Sequence, residues 1–455
     1  MNKVLTPDLC VVGGGSGGLS VAAGAVQMGA SVVLVEGHKM GGDCLNYGCV
    51  PSKALLAAAK VPGMDFATAK ARVAEVIMGI APHDSVERFT GLGVQVIEAY
   101  GQFTSPTEMA AGDYTIRPRR FVLATGSSPL VPPIPGLDTV PFHTNETLFE
   151  DVTQPEHLLI IGAGPIGMEM AQAHRRLGSR VTVLEGVRAL PHDDPELAAI
   201  ILNNLRAEGV EIFEHSKVAK VSGTAGDITV TIEDGRHFQG DQLLVAVGRR
   251  ANIGRLNLQA AAIDIERGAI KVNAGLRTTN KRAYAIGDVA GGLQFTHVAG
   301  YHAGLVIRSA LFGLPAKASN AHIPKATYTE PELASVGLTE AEARAQYGDT
   351  LTVLRAPYSE NDRARATGHT EGMLKVYAVK GRPVGAAIAG AQAGELIQIW
   401  ALAISAKLKL SAVAGMVAPY PTLGELNKRA AGSYFTPRLF GSKWVKRIVR
   451  LVQRF

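Results

Sequence analysis

Two cysteines, Cys44 and Cys49, stand five residues apart in the segment Gly41-Gly42-Asp43-Cys44-Leu45-Asn46-Tyr47-Gly48-Cys49-Val50-Pro51-Ser52-Lys53. Sulfurs that can meet exchange two electrons between dithiol and disulfide, with the thiolate as the working form. On a regular helix two Cα atoms at this spacing lie ~8.6 Å apart, beyond the about 7 Å that a disulfide bridges. Pairing them requires a locally distorted turn, which Gly48 and Pro51 are suited to give. The alternative is two free buried thiols, because cysteine is among the most buried residue types. A zinc centre would need a second Cys/His pair, which does not accompany them. Lys53 supplies a nearby cation of the kind that lowers a thiol pKa. The third cysteine, Cys10, falls in an apolar run and reads as core.

The elements that must position this pair are legible on either side of it. Gly13-Gly14-Gly15-Ser16-Gly17-Gly18 has the form G-x-G-x-x-G, with Gly13, Gly15 and Gly18 at the glycine positions. It follows the apolar run Leu9–Val12 and leads into a helical stretch over 19–28, then a strand over 32–35 that ends in Glu36. Glycines there let the backbone approach a pyrophosphate at a helix N-terminus, and the acid ~20 residues on accepts from ribose hydroxyls. The unit recurs: His157–Ile161 enters Gly162-Ala163-Gly164-Pro165-Ile166-Gly167, then a helix, then Val181–Leu184 and Glu185. Gly13 to Gly162 and Glu36 to Glu185 are both offsets of 149 residues. Two complete fingerprints in register predict two bound dinucleotides. Further apolar runs end in tight turns at Thr125-Gly126, at Gly248 and at Gly287-Asp288, the last setting a carboxylate just past a strand. The second nucleotide unit reads as an insertion into the first domain, which resumes near residue 270.

Taken together, these residues resemble the flavoprotein disulfide reductases (dihydrolipoamide dehydrogenase, glutathione reductase, mercuric reductase) over residues 4–440, most specifically in the block from Gly41 to Lys53. The resemblance implies an α/β chain with two Rossmann-like dinucleotide-binding domains, for FAD and NAD, and an α+β C-terminal dimerisation domain. Its expected boundaries are 1–145 and 270–318 for the FAD domain, 146–269 for the NAD(P) domain and 319–440 for dimerisation, with a basic tail at 441–455. FAD is expected on Gly13, Gly15, Gly18, Glu36 and Asp288, with Gly42, Lys53, Thr125, Gly126 and Gly287 around it. The nicotinamide cofactor is expected on Gly162, Gly164, Gly167, Glu185 and Gly248. Cys49 is then the thiol against the flavin and Cys44 the exposed interchange thiol, while Lys53 lies near flavin N5 and pairs with Glu169. Glu185 should accept from a free ribose 2′-hydroxyl and repel a 2′-phosphate, with only Arg188 nearby to counter it. NADH is therefore expected over NADPH.

One departure changes the chemistry. Residues 319–440 resemble the family's dimerisation domain, whose far end normally reads His-Pro-Thr-x-x-Glu and lends a histidine acid–base to the partner subunit. Here the segment is Tyr420-Pro421-Thr422-Leu423-Gly424-Glu425, with Glu425 kept and the histidine replaced by Tyr420. A histidine of pKa ~6.5 exchanges protons at neutral pH, whereas a tyrosine of pKa ~10 is ionised to about one part in a thousand. General acid–base help is worth roughly 100- to 10,000-fold, so fast dihydrolipoamide or glutathione turnover is not expected. Mercuric reductase also has tyrosine there, but its C-terminal cysteine pair is absent from this sequence. A tyrosine packed at the dimer seam is the structural alternative.

Composition sets the outer bounds. The 455 residues are 47% hydrophobic and 19% charged, which excludes a disordered chain, and three cysteines exclude a disulfide-stapled scaffold. No apolar run approaches the ~18 residues of a membrane span, and no charged leader precedes Leu9. The expectation is a soluble cytoplasmic protein. Net charge is +6 from 46 basic and 40 acidic residues, yet no acid follows Glu425 while eight basic residues do, leaving residues 1–425 at −2. A nucleic-acid binder would carry its excess on the folded surface, so no nucleic-acid partner is expected. In the tail, Trp444, Val445, Ile448, Val449, Val452 and Phe455 recur at helical spacing, opposite Lys443, Lys446, Arg447, Arg450 and Arg454. That pattern fits a helix packed on the dimer, a dock for an acidic partner, or a helix on an anionic membrane at the cytoplasmic face. The function expected from all this is a homodimeric NADH-dependent reductase passing electrons through FAD and the cysteine pair to a soft metal ion, an unusual disulfide or a quinone-like acceptor. A dihydrolipoamide dehydrogenase-type enzyme and a membrane-associated redox partner with little turnover are the alternatives.

Overall fold

The apolar run Leu9–Val12 is a fully buried strand at the centre of a five-stranded parallel sheet. The computed structural model describes residues 3–454. Val32–Glu36 and Arg120–Leu123 flank the central strand, with Gln95–Glu98 and Ala283–Ala285 at the two edges. Uninterrupted Val/Leu/Ile runs suit a sheet covered on both faces. Helices Ser16–Gln27 and Thr296–Phe312 cover one face around Val11, Val21, Leu34 and Val306, and Phe103, Met109, Ile116 and Phe121 pack the other. Val12 stands in register with Val35 and Leu123, and Leu123 with Ala285, so four strands finish at one level. Chain direction across the sheet reverses between Leu9–Val12 and Arg120–Leu123, the place outside the carboxyl ends where such sheets bind ligands.

The second fingerprint starts from the same construction. His157–Ile161 pairs in parallel with Arg180–Leu184 on one side and Gln242–Val245 on the other. The helix expected from residue 19 begins earlier, at Ser16, and includes Gly17 and Gly18 despite their poor helix propensity. Packing overrides propensity there, because a Cβ on Gly18 would overlap the Gly13 carbonyl.

By its contacts the chain forms two compact units. One comprises the chain up to Gly162, Ala173–Leu184 and Lys217–Ser319, and the other Ala163–Gln172, Glu185–Ser216 and the chain from Asn320 onward. The second unit holds a five-stranded antiparallel sheet, in the order Pro324–Thr327, Glu332–Gly337, Arg382–Gly390, Met373–Val379, Leu351–Pro357. Trp400 is fully buried against it, and its indole N–H donates to Asn427 Oδ1 at 2.7 Å. A buried ion cluster also sits in this unit: Lys375 Nζ lies 2.7 Å from Asp194, 3.0 Å from Glu196 and 2.6 Å from Glu340. Tyr377 adds a hydroxyl hydrogen bond to Asp194 at 2.9 Å. The tail forms the helix Lys443–Val452. Phe455, counted in its apolar stripe, lies outside the described residues. Among the described residues no helix is long and apolar enough to cross a membrane.

Candidate active site

Each fingerprint closes on its own acid in the same way. Gly14 N–H donates to Glu36 Oε2 at 2.5 Å and His38 N–H to Glu36 Oε1 at 2.7 Å. Ala163 N–H donates to Glu185 Oε2 at 2.9 Å and Val187 N–H to Glu185 Oε1 at 3.0 Å. The offset of 149 therefore holds for individual hydrogen bonds. His38 carries one link more: its Nε2 shares a 3.1 Å hydrogen bond with the Tyr47 hydroxyl in the cysteine segment.

The glycines divide by role. Gly13 and Gly162 both have positive φ, and a Cβ on either would run into the carbonyl of a neighbouring strand end, Ala124 or Ala246. These glycines make the turn. A Cβ on Gly164 would meet nothing, and one on Gly15 would meet only Gly42 Cα at 3.8 Å. The protein's own packing thus leaves room over the second glycine of each fingerprint, where a backbone must approach a pyrophosphate. With a helix N-terminus beside it and a carboxylate at the next strand end, this donor set fits a dinucleotide. The flanking turns are fixed as well. Thr125 Oγ1 donates to the Asn252 carbonyl at 2.7 Å, Asn252 N–H donates to the Gly126 carbonyl at 3.0 Å, and Leu130 N–H donates to that of Gly248 at 2.9 Å.

The cysteine segment is distorted where the spacing required it. Cys44 lies in the short helix Gly42–Asn46, the chain breaks at Tyr47 and Gly48, and Cys49 opens a new helix, Cys49–Ala59. Cys44, expected as the exposed thiol of the pair, is half-buried, and Cys49 is the exposed one. Cys49 Sγ lies 3.4 Å from Thr296 Oγ1 at the start of the Thr296–Phe312 helix. The Cys44 thiol is pushed well above its ordinary pKa, first by its hydrogen bond with Cys49, then by burial and by negative charge on Cys49; hydroxyls of Thr296 and Ser16 work the other way. Lys53 stands one helical turn after Cys49 and donates to Ser52 Oγ at 3.3 Å. Cys10 is fully buried in the central strand, and burial alone pushes its thiol far up, as befits core.

Around the pair lies a network with no sequence motif. Arg249 Nη2 stands 3.1 Å from Asp43 Oδ1 and donates to the Ser127 carbonyl at 2.8 Å, while its Nε donates to Ser127 Oγ at 2.7 Å. Ser127 Oγ donates to Asp288 Oδ2 at 2.5 Å. Asn145 Nδ2 donates to Asp43 Oδ1 at 3.0 Å and to the Tyr47 carbonyl at 3.1 Å. Burial raises the Asp288 carboxyl above its usual range, against the opposing pull of Ser127 and Arg249. Gly287 N–H donates to His302 Nδ1 at 3.2 Å and fixes the turn before Asp288.

In the second unit, Glu169 is buried, and its Oε1 accepts the Tyr328 N–H at 3.0 Å. Tyr420 is 71% exposed, and its hydroxyl donates to Asp362 Oδ2 at 3.0 Å. That hydrogen bond, and then the Asp362 charge, raise the tyrosine pKa further above its ordinary value. Glu425 opens the helix Glu425–Ser433, where its Oε2 accepts the Thr422 N–H at 3.5 Å. Tyr420 thus takes its carboxylate partner from Asp362 and not from Glu425.

Residues 7–303 match the family model for pyridine nucleotide-disulphide oxidoreductases, and residues 323–431 match the dimerisation domain of the same enzymes. The chain belongs to the pyridine nucleotide-disulphide oxidoreductase family. Among relatives of this oxidoreductase, a mercuric reductase from Streptomyces lividans is 35% identical, covering 94% of this chain and 96% of that protein. A dihydrolipoyl dehydrogenase from Rhizobium etli is 32% identical over 93% and 97%. Among solved structures, the Cu(II) complex of the HOCl-induced flavoprotein disulfide reductase RclA from Escherichia coli superimposes with a TM-score of 0.86, at 29% identity over 92% of this chain and 98% of that one. As a member of this oxidoreductase family the chain is an enzyme with FAD and a pyridine nucleotide as its expected cofactors, and its dimerisation domain supports a homodimer.

Sequence reading missed six residues of this oxidoreductase's site: Ser16, Asp43, Ser127, Asn145, Arg249 and Thr296. Two had an available signal, since Asp43 adjoins Cys44 and Arg249 directly follows the Gly248 turn. Asp362, the partner of Tyr420, was missed too, lying 58 residues from it in sequence.

Proposed function

We propose that this oxidoreductase is an NADH-dependent flavoprotein reductase whose Cys44–Cys49 pair delivers electrons to a soft metal ion, an unusual disulfide or a quinone-like compound, and that it does not exchange them rapidly with the lipoamide–dihydrolipoamide couple. The observation that carries the reading is the hydrogen bond from Tyr420 to Asp362. A phenol held to a carboxylate and raised in pKa is a poor proton carrier at neutral pH, so a dithiol substrate lacks its acid–base. A metal ion or quinone needs electrons from the pair without that proton shuttle at a substrate sulfur.

When bound, FAD supplies two-electron relay chemistry between a pyridine nucleotide and a thiol pair. The chain's own residues have simpler tasks. Gly15 and Gly42 leave the approach to the helix N-terminus open, Glu36 receives ribose hydroxyls, and Asp288 lies beyond the strand end beside Ser127. Cys44 keeps its proton and Cys49 carries the thiolate, with Lys53 one turn away to favour negative charge. Glu185 offers an anion to the nucleotide ribose, which favours a free 2′-hydroxyl. Arg188, the nearby cation, is engaged with the carbonyls of Pro191 and Asp193, which further supports NADH. Tyr420 and Glu425 act from the partner subunit in the homodimer.

The copper complex of RclA and the mercuric reductase relatives favour a metal ion as the first acceptor to try. The test is an acceptor screen on FAD-loaded protein, following NADH oxidation with Hg(II), Cu(II), quinones, glutathione disulfide and lipoamide. Turnover with a metal ion or quinone that is lost in Cys44→Ala supports the proposal. Lipoamide as the fastest acceptor overturns it in favour of a dihydrolipoamide dehydrogenase.

A further inference from the structure

Among the described residues of the tail helix Lys443–Val452, none is buried. Ser442 caps it by accepting the Val445 N–H at 3.3 Å, so it begins at a defined residue. At 3.6 residues per turn, Trp444, Val445, Ile448, Val449, Leu451 and Val452 fall on one arc of about 160°, and the cations fall on the opposite arc of about 100°. Leu451 joins the apolar arc although its spacing kept it out of the stripe read from sequence. The apolar arc faces outward: Trp444 is 72% exposed, and Ile448, Val449, Leu451 and Val452 are exposed with it. Phe440, just before the helix, is 71% exposed and extends the surface. At the border between the arcs the Arg447 guanidinium lies 5.8 Å from the Trp444 ring centroid.

Charge decides what covers this surface. A protein groove would cover the apolar arc and leave the cations in water, which gives no reason for an acid-free run of 30 residues after Glu425. A bilayer interface accepts both arcs at once, with apolar side chains at the acyl boundary and Lys and Arg at lipid phosphates. Tryptophan with arginine beside it suits the same depth, where one part of the ring is apolar and the other wet. Ten residues make a helix of about 15 Å, half of what a bilayer core requires, so the helix lies flat. We propose that Lys443–Val452 is a membrane-surface anchor that docks this oxidoreductase on anionic lipid.

The experiment uses FAD-loaded full-length protein with vesicles of phosphatidylcholine alone or mixed with phosphatidylglycerol. Sedimentation reads binding, and tryptophan emission reads insertion. The chain has two tryptophans, and Trp400 is fully buried against Asn427, so a change in emission reports Trp444. We expect binding and a blue shift with the mixed vesicles only, both lost in a chain ending at Phe440 and in Ile448→Asn. Each cation near such a surface strengthens binding about fivefold, so R447Q/R450Q should bind roughly 25-fold more weakly, and raised salt should weaken the native protein in the same direction. Flavin absorbance verifies that each variant is folded. Equal sedimentation of full-length and shortened chains overturns the proposal. So does an absence of vesicle binding combined with a monomeric shortened chain, which assigns the helix to a second copy. Capture by an acidic protein with no lipid binding overturns it as well.

Discussion

The division of the proton between the two thiols is the most directly measurable property of the site. Hydrogen bonding to Cys49 and burial both push the Cys44 thiol up, and the reading proposed above puts the negative charge of the reduced pair on Cys49. Reduced, FAD-loaded protein should therefore show a long-wavelength thiolate–flavin absorption that disappears in Cys49→Ala and survives in Cys44→Ala. The opposite dependence would reassign the thiolate. Tyr420 makes a second prediction at this scale. Tyr420→His introduces a group titrating near 6.5 and should raise lipoamide turnover by about 100-fold or more at neutral pH. A flat lipoamide rate between pH 6 and 9 in that variant would mean that proton transfer is not what limits the reaction. Glu185→Ala should narrow the preference for NADH, measured as the ratio of kcat/KM for the two nucleotides; a native enzyme that prefers NADPH contradicts the reading of Glu185.

At the scale of elements, the glycines separate into those the fold needs and those a ligand needs. Gly18→Ala forces a methyl into the Gly13 carbonyl and should yield little soluble protein. Gly15→Ala and Gly164→Ala meet open space or ordinary contact, so both variants should fold. The first should lose FAD affinity by tenfold or more, read by flavin retention on dialysis. The second should raise the KM for NADH with flavin content unchanged. Normal cofactor affinity in both would remove the distinction. Most of these elements were legible in the sequence, because a buried parallel strand, a glycine turn and a terminal acid leave local marks: His157–Ile161 matches to the residue, and Leu9–Val12 forms the strand its apolar run predicted. Asn145 and Thr296 left none. They reach the cysteine segment from 98 to 247 residues away through tertiary packing, which no local period encodes. The Tyr420–Asp362 hydrogen bond was hidden for the same reason, although the sequence did reveal the loss of the histidine.

At the scale of the whole molecule, the buried cluster around Lys375 ties stability to pH. Burial works against the Asp194 carboxyl, but Lys375 and Tyr377 outweigh it and hold it below the usual carboxylate range. Glu196 is lowered by Lys375 and then Arg355, and Glu340, against its burial, by Lys375 and Arg344. Groups with depressed folded pKa values stabilise above their unfolded values, about 4, and that stability is lost as pH falls through the lower folded ones. Lys375→Met strands these carboxylates and should cost about 3–5 kcal/mol at neutral pH. The gap in melting temperature between the native protein and this variant should shrink as pH drops below 4, and a gap independent of pH would mean that lost packing, not lost charge, is responsible.

The two acid-closed turns can also be compared bond for bond. An identical pair of backbone bonds repeats at a fixed interval, so the two turns serve as controls for one another, and what differs between them stands out. The first copy has His38, which fastens its acid to Tyr47 and through it to the cysteine segment. The second has Val187 at the equivalent place, 57% exposed and without a polar head to fasten anything. One turn is stitched to the cysteine segment by a side chain, and the other has only a valine at that place.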